Sequence, residues 1–173
     1  MQQYLTSQKI LHWLTALLII GLFALGVWMR TLGYYDGWYQ TAPHWHKQIG
    51  IILLVLMVAR LIWRFIKGTP KALSSHSTLE KRAAHWVHGI LYLGVFAIIA
   101  SGYLIATADN RGIEVLGFIT LPVLFPPIEN QEDIAGLIHE WGAYALMAFV
   151  AIHALGALKH HYFDKDQTLK RML

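Results

Sequence analysis

The chain has 173 residues, enough for one compact domain; 56% of them are apolar and only 14% carry a formal charge. It contains no cysteine, which excludes disulfides, thiolate-bound iron–sulfur clusters and haem attached through a Cys-x-x-Cys-His sequence. Any haem would need other ligands, and the sequence offers ten histidines.

Four apolar segments follow one another along the chain, and each is long enough to cross a bilayer. We predict helices over about residues 8–30, 44–67, 81–107 and 133–161 of a single domain, 1–173. The first lacks charged residues over 10–29 and has no small-residue cleavage site, so we expect a retained helix rather than a signal peptide. The predicted fold class is all-α, an integral membrane four-helix bundle.

Charges divide the connecting segments into two sets. With four spans, both termini and the loop after the second helix share one side, which carries eleven basic and three acidic residues. The opposite side carries three basic and seven acidic residues. The positive-inside rule predicts cytoplasmic termini and, for a bacterial protein, the inner membrane. The basic excess is therefore explained by topology, and we expect no nucleic-acid partner. The apolar segment 107–133 is expected at the outer mouth of the bundle or in the interface.

The fourth helix carries two histidines fourteen residues apart, His139 and His153. At 3.6 residues per turn they fall within about 40° of one face, and they are separated by ~21 Å along the axis. This spacing predicts two stacked cofactors, one toward each membrane surface. Depth sorts the remaining candidates, which leaves His46 or His44 opposite His139, and His12, His85 or His88 opposite His153. Each pair could supply two axial imidazoles to one b-type haem.

The same interval recurs on the other helices. Fourteen residues after His12, His88 and His46 lie Gly26, Gly102 and Arg60, respectively. We expect the glycines, with Gly142 and Gly156, to let a flat macrocycle approach the backbone, and Arg60 to pair with a propionate. Metal transport is the alternative, but it predicts ligands that converge near the midplane. His76, His160 and His161 lie near helix ends and are expected to contact water or lipid headgroups.

Three segments resemble the bacterial cytochrome b561 family, which is related to the cytochrome b subunits of formate dehydrogenases and nickel–iron hydrogenases. They are the sequence LHWL at 11–14, HKQIG at 46–50 and the tail LKHHYFDKD at 158–166. With the histidines of the fourth helix, the resemblance spans nearly the whole chain. It implies that His12 and His153 bind a cytoplasmic-side haem, and that His46 and His139 bind the other.

The resemblance also implies a function. It implies a protein with two haem b groups that moves electrons across the bilayer to or from ubiquinone. His88 and Arg60 are then candidate contacts of a haem propionate or of the quinone. One family member oxidises periplasmic superoxide and reduces ubiquinone, although the acidic outer side here would not attract an anion. Alternatives are an electron-transfer anchor for a periplasmic redox partner and a non-catalytic haem-binding or metal-transport protein.

Overall fold

Four long helices make up most of the structure, a computed structural model that describes residues 3–173. They are α1 (Thr6–Met29), α2 (Thr41–Lys67), α3 (Thr78–Ala106) and α4 (Gln131–Tyr162). Each is long and apolar enough to cross a membrane. Large apolar side chains such as Leu17, Leu93 and Trp141 are exposed along them, as expected where helices face lipid. The prediction of an all-α membrane four-helix bundle is confirmed.

The two ends of the bundle differ, and we name them by what they carry. The terminal end holds the start of α1, the connection between α2 and α3, and the tail 163–173. The loop end holds the connection between α1 and α2 and the segment 107–130. At the terminal end, α3 begins in a capping box, in which the Ser77 hydroxyl accepts from the Glu80 amide and the Glu80 carboxylate accepts from the Ser77 amide. Lys159 and two histidines occupy the last turn of α4, where a positive charge interacts favourably with the helix dipole.

The helices pack as two hairpins. Helix α1 packs mainly on α2, and α3 packs on α4, while α2 and α3 join the hairpins. One cluster of buried apolar residues between the helices consists of Leu22, Leu53, Met57, Val95 and Leu146. Leu146 lies seven residues from both His139 and His153, which is ~10 Å along α4 in each direction. The apolar core therefore forms a layer between the depths of these two histidines.

The segment 107–130 at the loop end contains a short antiparallel hairpin. The sequence analysis did not predict this hairpin. Strand β1 (Ile113–Val115) pairs with β2 (Ile119–Leu121). Leu116 and Gly117 both have positive φ, as a type I′ turn requires.

Two side chains hold this segment against the helices. Gln48 is 3% exposed; its amide group donates to the Glu114 carbonyl at 2.6 Å and accepts from the Leu116 amide at 2.8 Å. The Tyr103 hydroxyl donates to the Pro122 carbonyl at 2.7 Å. The segment 107–130 thus lies across the loop ends of α2 and α3.

Candidate functional site

Two pairs of imidazoles face each other between the hairpins. The ring centroids of His46 on α2 and His139 on α4 are 6.0 Å apart, with 71° between the ring planes. Those of His12 on α1 and His153 on α4 are 6.1 Å apart, with 68° between the planes. The first pair lies toward the loop end and the second toward the terminal end. Both pairs are partly buried and connect the α1–α2 hairpin to α4.

These separations match the geometry of one metal ion between two imidazoles. A metal–nitrogen bond is about 2 Å, and the ring centroid lies about 1 Å beyond the nitrogen, so a linear arrangement needs about 6 Å between centroids. The His88 ring is only 5.0 Å from the His153 ring, which is too close. Its Nδ1 is bonded to the Ala84 carbonyl at 2.6 Å. The geometry therefore favours His12 over His88 as the partner of His153. His44 and His85 are exposed and join neither pair.

At the loop end, α3 orients the imidazole of His139. The His139 Nδ1 lies 3.0 Å from the Ile98 carbonyl oxygen and 3.1 Å from the Ser101 hydroxyl. Donation of Nδ1–H to the carbonyl leaves Nε2 as the nitrogen with a free lone pair, which is the usual arrangement of a metal-binding histidine. The buried His46 Nδ1 has no hydrogen-bond partner among the described residues. This orphaned polar atom is costly unless a bound group compensates for it.

Glycines on α1 and α3 lie directly against the loop-end pair. A Cβ at Gly102 would lie 3.1 Å from His139 Cε1, and a Cβ at Gly26 would lie 3.3 Å from His46 Cε1. In the structure, the imidazole rings are the nearest neighbours of these two glycines, and the approach of a macrocycle to them stays a prediction. The small residues are needed because the Cε1–Nδ1 edge of each ring lies close to the neighbouring helix. On α4 itself, a Cβ at Gly142 would meet Ile98 at 3.0 Å, while Gly156 faces open space.

At the terminal end, Arg60 of α2 contacts the second pair. Its Nη2 lies 2.8 Å from His12 Nδ1, and its Nη1 donates to the buried Thr15 hydroxyl at 2.7 Å. The guanidinium also lies 5.4 Å from the Tyr92 ring centroid, and that of Arg64 lies 5.9 Å from it. Neither arginine has a carboxylate partner among the described residues. A cleft between α1, α2, α3 and the tail is lined by both arginines, Tyr92, Tyr4 and Trp63. It offers two uncompensated cations, of which Arg60 contacts His12.

The loop end carries few free positive charges. Arg30 pairs with Glu140, and Arg111 pairs with Asp109, whose pKa the arginine holds below its usual range. Lys47, adjacent to His46, is exposed and forms no ion pair within residues 3–173. It is therefore the loop-end cation that remains available to an incoming anion.

Comparisons with known proteins agree with this architecture. The family model described as prokaryotic cytochrome b561 matches residues 3–173. The chain is 46% identical to cytochrome b561 homolog 2 of Escherichia coli K12, covering 99% of this chain and 92% of that protein. It is 32% identical to a Yersinia pestis protein named probable superoxide oxidase CybB, covering 99% and 96%. It is 29% identical to cytochrome b562 of Cereibacter sphaeroides, covering 98% and 94%.

The family implies that b-type haem is bound, and four membrane-crossing helices make the chain a multi-pass protein of a bacterial membrane. The chain belongs to the prokaryotic cytochrome b561 family and is a membrane cytochrome of electron transport.

Proposed function

We propose that this protein binds two haem b groups and moves electrons across the inner membrane to or from ubiquinone. The observation that carries this proposal is the presence of two cross-hairpin imidazole pairs, each with a centroid separation of about 6 Å. His12 and His153 are the proposed ligands of the terminal-end haem, and His46 and His139 those of the loop-end haem. The apolar layer around Leu146 separates the two sites.

When bound, haem held by two histidines supplies one-electron transfer with no open coordination position. The protein's part is to hold the imidazoles and to set the surrounding charge. The Ile98 carbonyl orients His139, and Gly102 and Gly26 admit the two loop-end rings. Helix α4 contributes one ligand to each site, so its rigidity fixes the separation of the sites at ~21 Å.

Arg60 is the proposed partner of an anionic group at the terminal end. A guanidinium only donates hydrogen bonds, so His12 Nδ1 accepts from Arg60 and the proton of the neutral ring is on Nε2. For Nε2 to bind iron, the proton must be on Nδ1 instead, and Arg60 must turn away from it. A haem propionate in the adjacent cleft would receive the displaced guanidinium. The same cleft, with Arg64 and the nearby His88, is our proposed contact region for the quinone headgroup.

The proposed orientation of the bundle in the membrane follows from its distribution of charge. The terminal end carries the basic excess, so we place it in the cytoplasm. A donor outside the cell membrane would then meet the loop-end haem first. Electron transfer from a periplasmic redox protein would require docking on the segment 107–130, whereas a small donor would need only access to the His46 region.

Superoxide is the second candidate donor, because one relative is named probable superoxide oxidase. Two of the three loop-end cations are already paired with carboxylates, which leaves Lys47 to attract the anion. Stopped-flow decay of superoxide with excess ubiquinone tests this activity. A rate above spontaneous dismutation that falls several-fold in Lys47→Glu, and falls with ionic strength, would support it. A rate equal to spontaneous dismutation would exclude it.

The haem proposal has a direct test. Purified protein should contain two haem b per chain, with reduced-minus-oxidised spectra of bis-histidine haem. His139→Ala should lose the loop-end haem and His153→Ala the terminal-end haem, while His85→Ala, at an exposed histidine outside both pairs, should keep both. The assignment would be contradicted if wild type held one haem per chain. It would also be contradicted if His85→Ala lost both haems while His139→Ala and His153→Ala kept theirs.

A further inference from the structure

A second cluster of ligands lies at the terminal end, in neither imidazole pair. His76 comes from the connection between α2 and α3, His160 from the last turn of α4, and Asp166 from the tail. His76 Nε2 is 2.8 Å from Asp166 Oδ2, and His160 Nδ1 is 3.4 Å from the same oxygen. The two imidazoles stack with their centroids 4.3 Å apart. The three side chains are only 10–15% exposed, so the cluster is enclosed.

The ligand atoms are spaced as around a small metal ion. Ligands at about 2.0–2.1 Å in a tetrahedron are about 3.3 Å from one another. The observed spacings of 2.8 and 3.4 Å lie within about half an ångström of that value. All three ligand atoms lie within 4.8 Å of one another. Two imidazoles and one carboxylate favour Zn²⁺ over Mg²⁺ or Ca²⁺, which prefer oxygen-rich sites.

Hydrogen bonding leaves part of this cluster unsatisfied. His160 Nδ1 is buried and makes no aligned hydrogen bond within residues 3–173, but it lies at ion-pair distance from Asp164 Oδ2, 2.7 Å, and from Asp166 Oδ2, 3.4 Å. Lys159 holds that Asp164 carboxylate at 2.7 Å and Glu80 at 2.8 Å, which commits both acids to the ammonium. The stacked rings lie 24° apart and do not aim both lone pairs at one point, so metal binding would turn one imidazole and draw His160 Nδ1 away from Asp164.

The carboxylate of the cluster is already oriented. Asp166 Oδ1 accepts from the Thr168 amide at 2.7 Å, which leaves Oδ2 turned toward the two histidines. Burial opposes ionisation of Asp166, but hydrogen bonds from Thr168 and His76 outweigh it and lower the pKa of Asp166. The group is therefore a carboxylate at neutral pH. Such support of a ligand by a neighbouring amide is usual in metal sites.

We propose that His76, His160 and Asp166 bind one Zn²⁺ ion, which fastens the tail to the α2–α3 connection and to the end of α4. The ion would take the place of the hydrogen bond between His76 Nε2 and Asp166, and the neutral imidazole of His76 would then carry its proton on Nδ1. Three protein ligands leave a fourth position for water. The tail also closes the terminal end, where the Trp13 indole donates to the Met172 carbonyl at 2.9 Å. Zinc would thus stabilise the segment that covers the cleft beside Arg60.

The competing interpretation is a hydrogen-bonded tie between His76 and Asp166 that binds no metal. His76→Gln distinguishes the two, since glutamine can still donate to Asp166 but is a poor zinc ligand. His85→Gln is the matched control, because His85 is an exposed histidine of the same end outside the cluster. Asp166→Asn is the second test variant and removes the ligand charge. Haem content, measured on each purified variant, reports whether the bundle is intact.

The experiment is equilibrium dialysis of chelator-treated holoprotein against zinc chloride, followed by metal analysis and zinc K-edge absorption spectroscopy. Wild type and His85→Gln should each retain one zinc with nitrogen and oxygen ligands at about 2.0–2.1 Å, including imidazoles. His76→Gln and Asp166→Asn should bind zinc at least tenfold more weakly with unchanged haem. Wild type that retains no zinc overturns the proposal, as does His76→Gln that retains as much as His85→Gln. If one variant proves unstable, the other decides.

Discussion

Replacing Gly102 with alanine tests the loop-end pair without removing a ligand. The added Cβ would lie 3.1 Å from Cε1 and 3.3 Å from Nδ1 of His139, both tighter than ordinary carbon contacts. The backbone of α3 does not move easily, so the imidazole must shift by a few tenths of an ångström. That shift also disturbs the alignment of Nδ1 with the Ile98 carbonyl, which lies 3.0 Å away.

The expected cost follows from this crowding. Overpacking a well-packed site by one methyl group costs roughly 1–3 kcal/mol. Alanine is the better helix former by about 1 kcal/mol, but that gain stabilises α3 with or without haem and does not restore the ring position. A loss of about 1–3 kcal/mol in binding corresponds to roughly 5- to 150-fold weaker retention of the loop-end haem.

The assay is haem transfer to excess apomyoglobin, with the electron paramagnetic resonance signals of the two ferric haems recorded in parallel. Gly102→Ala should release one haem at least fivefold faster and alter one low-spin signal, while the other haem keeps its rate and signal. Gly21→Ala is the control, because Gly21 is exposed on α1 and an added methyl group there would meet nothing within 4 Å. Wild-type release rates and signals in Gly102→Ala would refute the placement of His139 as a ligand against this glycine.

Three further predictions concern the ends of the bundle. Arg60→Ala should lower the midpoint potential of the terminal-end haem by on the order of 60 mV in a redox titration, since a nearby cation favours the reduced form, and Arg60→Lys should lower it less. Gln48→Ala removes two hydrogen bonds to the segment 107–130, worth about 1–3 kcal/mol together, and should speed its proteolysis at constant haem content. The pKa of Asp166 is lower in the folded state than in the unfolded chain, so its ionised carboxylate stabilises the fold. This stabilisation is fully present above about pH 4 and is lost as the pH falls through the folded-state pKa. Proteolysis of the tail by an acid protease should therefore rise below about pH 4 in wild type, and Asp166→Asn should show no such acid step.

The sequence predicted the helices because each apolar run is continuous and about as long as a bilayer is thick. The structure starts α2 at Thr41 and α3 at Thr78, each three residues before the predicted start. Polar residues at these ends carry no hydrophobic signal, although Ser77 and Glu80 show the spacing of a capping box. The β1–β2 hairpin was missed because its strands have three residues each, too short for a periodic pattern.

Spacing and depth alone did not choose the histidine partners, and it was the family resemblance that implied His12 with His153 and His46 with His139. Spacing along α4 indicated His139 and His153 as candidate ligands, but depth alone left His12, with His85 and His88 as alternatives, as the partner of His153. Rotation of each helix about its axis determines which of them faces His153, and spacing along the chain does not give that rotation. The centroid distances of 6.1 Å for His12 and 5.0 Å for His88 separate the two that reach the site.

Three histidines near helix ends, His76, His160 and His161, were interpreted as water or lipid contacts, and that interpretation is wrong for His76 and His160. They stack on each other under the tail and are mostly buried. The contact joins positions 84 residues apart through an irregular connection and a non-helical tail, so neither helical periodicity nor local spacing could have indicated it. The sequence HHYFDKD brings His160 and Asp166 close together along the chain. It does not show that the α2–α3 connection, which carries His76, meets them.

Two constraints, helix face and membrane depth, act together on the fourteen-residue interval of α4. An interval of eighteen residues would also return to the same face, but it would separate the rings by ~27 Å, close to the whole hydrocarbon thickness. Thirteen or fifteen residues would rotate one ring by 100° relative to the present arrangement. One alanine inserted after Leu146 should therefore turn His153 away from His12 and abolish the terminal-end haem, while His139 keeps its site. An alanine inserted after Val123, in the segment 107–130, is the control. If the α4 insertion retains two bis-histidine haems by stoichiometry and spectrum, the layered arrangement of ligands on this helix is not what holds them.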